Sequence, residues 1–259
     1  AFAALVASAG LAMTAAGPAT FSGEAYPLDT CPVSGEKLGK DAKVVFLQGA
    51  CGDITQVNNL DPKANPASDD WSQFVGGRVG AEALKVLLSM SQTRTAEVPL
   101  AADHKVWEIG RRIPAPERIA EARERIKGPP AHKDWVWAKE TLLLDALIAR
   151  KSGVEVEVQA IQVGPVVCLS NPAEYFVSYG LQLKKRSGFP MTFPVELANG
   201  CVGYVPDEEA FGPNGGGYET RLTSYSNLEI TAGTQFMNVG LELAAKMKPA
   251  KLPERPNGP

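Results

Sequence analysis

The sequence has few histidines and no cluster of cysteines, although these two residue types most often hold transition metals in proteins. Its 259 residues include only two histidines, His104 and His132, which argues against a histidine-rich zinc site built by this chain alone. The four cysteines lie far apart and form no C-x-x-C pair. A zinc ribbon, a thioredoxin-like motif and a disulfide-dense scaffold are therefore not expected, whereas one or two isolated disulfides stay open.

The sequence also lacks an excess of charge of one sign. Its formal net charge is −3, its isoelectric point is near 5.6, and it has no block of like charge. Because the phosphate backbone of nucleic acid requires a basic protein face, this balance argues against a nucleic-acid-binding protein. With 44% apolar and 21% charged residues, the chain has enough apolar side chains to bury one large core or two small ones.

An uninterrupted hydrophobic run of membrane-spanning length is missing too. Residues 1–19 are small, apolar and uncharged, which is typical of a secretory signal, and a buried Ala-rich helix is the alternative interpretation. Gly10, Gly17 and Pro18 interrupt this run before the ~20 residues that a bilayer crossing needs, so we expect no transmembrane span. We interpret residues 1–40 as a signal-like and irregular segment, and we expect an exported protein, periplasmic or secreted.

The residues between 41 and 249 alternate between strand and helix patterns, and a Pro-rich tail follows at 250–259. Apolar or alternating runs predict strands over 44–49, 154–164, 165–170 and 191–197. Helical spacing and end signals predict helices over 71–90, 115–127, 133–151 with Asp134 as N-cap, 171–188 with Glu174 in its first turn, and 230–247. The helices on either side of Gly128 should form a hairpin. The pattern as a whole predicts an α/β fold, a mixed sheet with flanking helices.

Polar side chains follow three of the predicted strands, where open α/β sheets bind their ligands. The loop QGACGDITQVN contains Asp53 and Thr55, and Glu174 falls where a helix dipole would stabilise its charged form. The long Gly-rich loop at 199–221 contains Tyr204 and a Tyr218-Glu219 pair. Each feature also has a structural interpretation: a turn residue bonding its own backbone, an ordinary first-turn acid, and a surface excursion.

The same three segments resemble, in the same order, motifs of the neutral/alkaline non-lysosomal ceramidases. QGACGDITQVN looks like their Q-x-N/A-x-G-D-V-S-P-N loop, and NPAEYF is similar to their P-x-E-F-T segment. NGCVGYVPDEEAFGPNGGGYE resembles their N-x-Y-x-x-Y-x-T-x-E-E-Y…Y-E loop. The resemblance covers about residues 43–247 and corresponds to the later half of that family's catalytic domain, so it implies an incomplete ceramidase-like domain.

The resemblance implies hydrolysis of the ceramide amide bond with a zinc ion held by two histidines, a glutamate and a tyrosine. By position, Glu174 and Tyr204 match the zinc-binding glutamate and tyrosine. Thr55 stands where the family has its catalytic serine, in the loop that contains Asp53. The family's zinc histidines precede the QGACGD loop, where this sequence has no histidine, and His104 and His132 match neither of them, so we expect both at the surface.

Two hypotheses of different class follow. The first is an exported, ceramidase-like, zinc-dependent amidohydrolase that acts on linear amide C–N bonds of a lipid-like or other amide substrate. Its missing histidine ligands would come from an upstream segment or a partner chain. The second is a non-catalytic exported binding or assembly protein on the same scaffold. Thr55 in place of serine and the missing histidines favour the second hypothesis, whereas Glu174, Tyr204 and Asp53 favour the first.

Overall fold

The structure is a computed structural model that describes residues 46–58, 60–61, 69–89, 97–130 and 132–252. The described helices are α1 (Asp69–Ser89), α2 (Pro116–Arg125), α3 (Lys133–Arg150), α4 (Val177–Arg186) and α5 (Ala232–Ala245). The described strands are β1 (Leu100–Gly110), β2 (Gly153–Val163), β3 (Val166–Ser170), β4 (Glu174–Tyr175), β5 (Met191–Val195) and β6 (Tyr204–Val205). The described residues from Gln48 onward belong to one compact unit.

Four of these strands form a mixed sheet in the order β1-β2-β3-β5. The first two pairings are antiparallel and the pairing of β3 with β5 is parallel, whereas β4 and β6 form a separate parallel pair. In β2 the alternation of the sequence sets the two faces, because Val156, Val158 and Ala160 are buried while Ile161 is exposed. The predicted α/β fold with a mixed sheet and flanking helices is therefore confirmed.

The core lies between this sheet and helices α4 and α5. Helix α5 packs on β1, β2 and β3, and helix α4 packs on β5 and on α5. Phe236 and Leu243 of α5 are at most 2% exposed, so each contributes roughly 1.5–3 kcal/mol by leaving water. The Tyr175 hydroxyl donates to the Gly233 carbonyl over 2.6 Å, which links β4 to the first turn of α5. Glycine is needed there because a Cβ at 233 would lie 2.3 Å from the Tyr179 ring.

Most predicted elements are present. Helices form at 69–89, 116–125, 133–150 and 232–245, and α2 packs against α3 as the predicted hairpin requires. The sequence analysis missed β1, in which charged residues interrupt the apolar positions and only Ile109 is buried. This strand forms because its backbone pairs with β2 along its full length. None of the helices in the described ranges is long and apolar enough to cross a membrane.

Two local predictions are wrong. Residues 47–49 of the predicted 44–49 strand have no regular secondary structure, and residues 44 and 45 lie outside the described ranges. Among the described residues of this segment, one backbone bond, from the Glu196 amide to the Gln48 carbonyl, links it to the end of β5. The N-cap of α3 is His132 rather than Asp134, because the His132 ring accepts the Asp134 amide over 3.2 Å.

The predicted helix start at Asn171 is also wrong, and this matters for the site. The Asn171 side chain accepts the Ala173 amide, Glu174 and Tyr175 are extended as β4, and α4 begins only at Val177. Glu174 therefore lies on a short strand and not in the first turn of a helix. The physical reason is that the Glu174 amide bonds to the Gly203 carbonyl of a distant segment instead of a helical neighbour.

Several predictions fall outside the described residues. These are the signal-like segment at 1–40, including Cys31, and the last residues of the tail from position 253. Cys51, Cys168 and Cys201 are described and all three are free thiols.

Candidate functional site

The predicted site residues Glu174 and Tyr204 are brought together by strand pairing. They are direct partners in the parallel β4–β6 ladder, although 30 positions separate them in the chain. Strand β4 follows β3, and β6 follows β5, so both candidate residues come after the carboxyl ends of parallel strands. Ligands of open α/β sheets bind at such an edge, so the fold places this pair where a functional site is expected.

Two tyrosines lie beside Glu174, and a third contacts one of them. The Tyr225 hydroxyl donates to Glu174 Oε1 over 2.5 Å, and Tyr204 is the partner of Glu174 in the β4–β6 ladder. The Tyr204 and Tyr218 hydroxyls are 3.5 Å apart, and the Tyr204 ring meets the Tyr218 and Tyr225 rings edge to face. We call Tyr204, Tyr218 and Tyr225 the tyrosine cluster. Tyr218 is 64% exposed and Tyr225 is 50% exposed, so the cluster is open to solvent.

Two members of the tyrosine cluster, Tyr204 and Tyr225, are hydrogen-bond donors at neutral pH. Burial raises the pKa of Tyr204 far above its usual value of 10, and its neighbours Tyr218 and Glu174 raise the pKa further. The pKa of Tyr225 is raised in the same way by burial, by the Cys201 thiol 3.3 Å from its hydroxyl and by Glu174. A carboxylate beside a phenol disfavours the phenolate because two negative charges would then lie close together. The site therefore combines one carboxyl group with protonated phenols.

The loop that contains Tyr218 and Tyr225 is fixed by hydrogen bonds to the charged side chains of Arg112 and Glu140. The Arg112 guanidinium donates to three backbone carbonyls of this loop, those of Thr220, Ser226 and Leu228, at 2.9, 3.1 and 2.9 Å. The Glu140 carboxylate of α3 accepts the Ser224 amide at 3.0 Å. The Ser226 hydroxyl accepts the Tyr204 amide, also at 3.0 Å. These bonds satisfy backbone groups of an irregular segment, so the two tyrosines project from a fixed support.

The other two predicted residues, Asp53 and Thr55, bond to nearby backbone. Asp53 Oδ1 accepts the amide of Val177, the first residue of α4, over 2.7 Å. It thus caps a helix whose own N-cap residue, Phe176, supplies no side-chain bond. The exposed Thr55 hydroxyl accepts the Val57 amide over 3.3 Å. Their contacts therefore give both residues local structural roles, and the catalytic role drawn from the resemblance stays a prediction.

Two further residues border the site, and the sequence analysis did not single them out. Glu196 directly follows β5, and its carboxylate accepts the Tyr175 amide next to Glu174. Cys51 lies in the same loop as Asp53, and its thiol donates to Glu196. Glu196 falls within the predicted strand at 191–197, where it is a lone acid in an apolar run. A carboxyl group that is buried with such a run is stable only when it accepts hydrogen bonds. The acid within the apolar run is therefore the sequence signal that could have identified Glu196.

The described residues do not by themselves fit a zinc ion. Zinc takes four nitrogen, sulfur or oxygen donors at about 2.0–2.3 Å, whereas Glu174 and Tyr204 offer one carboxylate and one protonated phenol. His104 is exposed on β1 and His132 caps α3, so both lie at the surface as predicted. Across the described ranges, no group of three or more His, Cys, Asp or Glu side chains could hold a metal ion.

Comparison with solved structures shows the fold class. The chain is similar in fold to neutral ceramidase from Pseudomonas aeruginosa, with a TM-score of 0.50 and 15% identity over 87% of this chain and 40% of that one. A ceramidase complexed with C2 gives a TM-score of 0.52 and 15% identity over 82% of this chain and 41% of that one. No protein-family model and no curated protein matches the chain. The predicted ceramidase-like fold is thus supported, and the chain spans about 40% of the length of these two structures.

Proposed function

We propose that this chain belongs to a ceramidase-like hydrolase of linear amide bonds, in which Glu174 and Tyr204 act on the substrate. The observation that carries the proposal is the direct pairing of these two residues across β4 and β6. The fold likeness to two ceramidase structures supports the same class of reaction. A ceramide-like N-acyl lipid is the proposed substrate class.

The chemistry proposed for each residue follows from its protonation state and neighbours. The Glu174 carboxylate would accept the proton of a water molecule that attacks the amide carbonyl and would then give this proton to the amine nitrogen as the C–N bond breaks. Such a general acid–base role typically contributes 10²–10⁴-fold in rate. The Tyr204 phenol, whose pKa is raised by burial and by its partners, would donate a hydrogen bond to the carbonyl oxygen as negative charge develops there. Tyr225 would keep Glu174 oriented. Thr55 and Asp53 keep their predicted catalytic roles as part of the proposal.

Zinc belongs to this proposal only with donors from outside the described residues. We propose that a further segment of the protein or a partner chain supplies the histidines that the resemblance implies. With those histidines present, Glu174 and Tyr204 would be the remaining zinc ligands, and the roles given above apply to the chain without them. Export is part of the same proposal, because residues 1–19 have the small, apolar composition of a secretory signal. Fractionation of expressing cells would test it, and recovery only from the cytoplasm would contradict it.

The decisive experiment compares the purified chain with E174Q and Y204F in hydrolysis of a short-chain N-acylsphingosine. Fatty acid release is measured with and without added zinc, and bound zinc is measured by elemental analysis. We expect kcat to fall about 10²–10⁴-fold in E174Q, because the amide cannot accept a proton. We expect a loss of about 10²-fold in Y204F. E242Q is the matched control, since Glu242 forms an exposed ion pair with Lys105 that contributes at most about 1 kcal/mol.

The outcomes separate the two hypotheses. Hydrolysis by the wild type that disappears in E174Q and persists in E242Q supports the enzyme. A wild type that hydrolyses nothing with zinc present overturns the proposal that Glu174 and Tyr204 act as general base and hydrogen-bond donor in this chain alone. Calorimetric binding of the same lipid that is lost in E174Q, without hydrolysis, would then support the alternative, a non-catalytic binding protein. The absence of a three-donor metal group in the described residues is the observation that favours this alternative.

A further inference from the structure

Glu196 is a carboxylic acid buried at the centre of the segments that form the candidate site. The residue is only 4% exposed and directly follows β5. Oε2 accepts two backbone amides, those of Cys51 at 3.1 Å and Tyr175 at 2.9 Å, and Oε1 accepts the Cys51 thiol at 3.0 Å. Both oxygens are therefore satisfied by neutral donors, and no Lys or Arg in the described ranges forms an ion pair with Glu196.

These bonds join three stretches of chain that are far apart in the sequence. Cys51 starts the loop that leads to Asp53 and Thr55, and Tyr175 is the residue after Glu174 in β4. The Glu196 amide donates to the Gln48 carbonyl over 3.0 Å. Glu196 itself begins the segment that runs to Tyr204. One side chain thus touches each of the three segments that carry the predicted site residues.

The backbone of β4 needs this partner. Strand β4 pairs with β6 on one side only, so the Tyr175 amide, which points to the other side, has no strand carbonyl to bond. An oxygen of Glu196 takes the place of that carbonyl. The Tyr175 carbonyl is bonded in turn by the Gly52 amide over 2.8 Å. Strand β4 therefore pairs with β6 on one side, and on its other side it bonds to the Glu196 side chain and the Gly52 amide.

The contact with the loop is too close for any side chain at position 52. A Cβ at Gly52 would lie 2.5 Å from the Glu174 carbonyl oxygen. The backbone at Gly52 is thus in direct contact with the backbone of Glu174. Glu196 bonds to both segments next to this contact, at Cys51 and at Tyr175. Burying a carboxylate costs several kcal/mol, whereas a well-packed apolar side chain at 196 would avoid that cost. The three donated bonds offset that cost and fix the position of β4.

We propose that Glu196 is a positioning residue for the candidate site, a buried carboxylate that sets where Glu174 lies relative to Tyr204, Tyr225 and the Asp53 loop. It acts through backbone and does not touch the substrate. This inference rests on the proposed function in one respect: it takes Glu174 and Tyr204 as the residues that act on the substrate. A displacement of reacting groups by about 1 Å can cost 10²-fold in rate, so such a support has functional consequences.

The test compares E196A with E196Q. Alanine removes the acceptor for both amides, whereas the carbonyl oxygen of glutamine can still accept them and its NH₂ group can donate to the Cys51 sulfur. The position of Glu174 is reported by the ¹³Cζ resonances of Tyr204 and Tyr225, assigned with the Tyr→Phe variants. E174Q defines how these resonances move when the carboxylate is lost.

We expect E196A to move the Tyr204 and Tyr225 resonances in the same direction as E174Q, and E196Q to leave them near their wild-type positions. Q162A is the matched control. Gln162 is 2% exposed and donates to the carbonyls of Gly164 and Lys248, near the opposite ends of β3 and β5. If the resonances moved only because the protein is less stable, they would move in Q162A as well as in E196A. If E196A does not fold, E196D replaces it, because its shorter side chain cannot reach both amides.

Wild-type resonances in folded E196A or E196D would overturn the inference, as would an equal movement in Q162A. The hydrolysis assay separates this inference from the proposed function. If the wild type hydrolyses the lipid, E196A should lower kcat by about 10²-fold while E196Q restores most of it. If the wild type hydrolyses nothing but the resonances respond as expected, the proposed function fails and the positioning role of Glu196 stands.

Discussion

At the scale of single residues, the site consists of one carboxylate beside two phenols. Tyr225 donates to Glu174, and the high pKa values of Tyr225 and Tyr204 follow from burial and from the nearby negative charge. The group that would act as a base is therefore oriented before any substrate arrives. Preorganised donors of this kind cost no rearrangement during a reaction, which is why they suit a site that stabilises developing charge.

Cys51 and Cys201 lie near the same site but should differ in reactivity. Burial raises the pKa of Cys51 to about 12, and its bond to the Glu196 carboxylate adds to the shift, whereas Cys201 is exposed. Because only the thiolate is nucleophilic, we expect iodoacetamide at pH 8 to modify Cys201 first. Cys51 should react at least about 10²-fold more slowly than an ordinary thiol of pKa ≈ 8.5. Mass spectrometry of the peptides over time gives both rates.

The variant E196Q is a control for the Cys51 prediction. It removes the negative charge next to the Cys51 thiol and should therefore speed the reaction of Cys51 with iodoacetamide. Unfolding in urea should make the two cysteines react alike. Equal rates in the folded protein would contradict the buried thiol–carboxylate pair.

At the scale of elements, the decisive feature is the two-residue strand β4. Its residues sit between the end of β3 and the start of α4, and the Asp53 carboxylate caps that helix from another loop. The 51–53 loop therefore holds both β4 and α4. This arrangement explains why a loop of exposed polar residues is fixed in space: its bonds go to backbone groups that the helix and the strand leave unpaired.

The close approach of Gly52 to β4 gives a prediction for this element. We expect Gly52→Ala to lower the free energy of unfolding by about 1–3 kcal/mol, because its Cβ would lie 2.5 Å from the Glu174 carbonyl oxygen and the backbone must move. The matched control is Gly77→Ala in α1, where a Cβ meets nothing within 4 Å. It should stabilise the protein by roughly 0.5–1 kcal/mol, since glycine is unfavourable inside a helix. Urea unfolding measures both, and a stabilising Gly52→Ala would contradict the described packing.

At the scale of the whole molecule, the described residues form the sheet, its helices and one edge that carries carboxyl and phenol groups. The chain spans about 40% of the length of the two ceramidase structures, and its described residues contain no group of three or more His, Cys, Asp or Glu side chains that could hold a metal ion. The proposed zinc site therefore requires donors in addition to the described residues.

The buried Glu196 carboxyl makes the stability of the whole protein depend on pH. Burial raises its pKa above the ordinary value of 4.5, although the bonds from Cys51 and Tyr175 partly oppose the shift. Between 4.5 and the raised pKa the folded state binds more protons than the unfolded state, so the free energy of unfolding falls as pH rises through this window. E196Q lacks the group and should lack this part of the slope. Urea unfolding at a series of pH values gives the difference between the two proteins.

In that comparison, the carboxyl groups that do not interact with Glu196 contribute equally to both proteins and cancel, whereas Glu174 lies close enough to raise the pKa of Glu196 and belongs to the measured difference. The hydrogen bonds altered in E196Q shift its stability at every pH but leave the difference in slope intact. An unfolding free energy that rises with pH in wild type relative to E196Q, within this window, would contradict the raised pKa.

The sequence by itself determined the elements whose signal is local. The alternation in β2, the apolar runs of β3 and β5 and the helical spacing in α3 and α5 each lie within a window of about ten to twenty residues. The order of the polar loops after the strands indicated which residues would share one edge, because the carboxyl ends of parallel strands meet there. Glu174 and Tyr204 could be selected on that ground.

Only the tertiary structure decided how those residues are held. The sequence predicted a helix at Glu174, but a bond to Gly203 makes that segment a strand. Tyr225 reaches Glu174 from 51 positions away, and Glu196 reaches Cys51 across 145 positions. Such bonds leave no periodic trace in the sequence, because a single buried donor or acceptor is satisfied by whichever partner the packed chain brings within 3 Å.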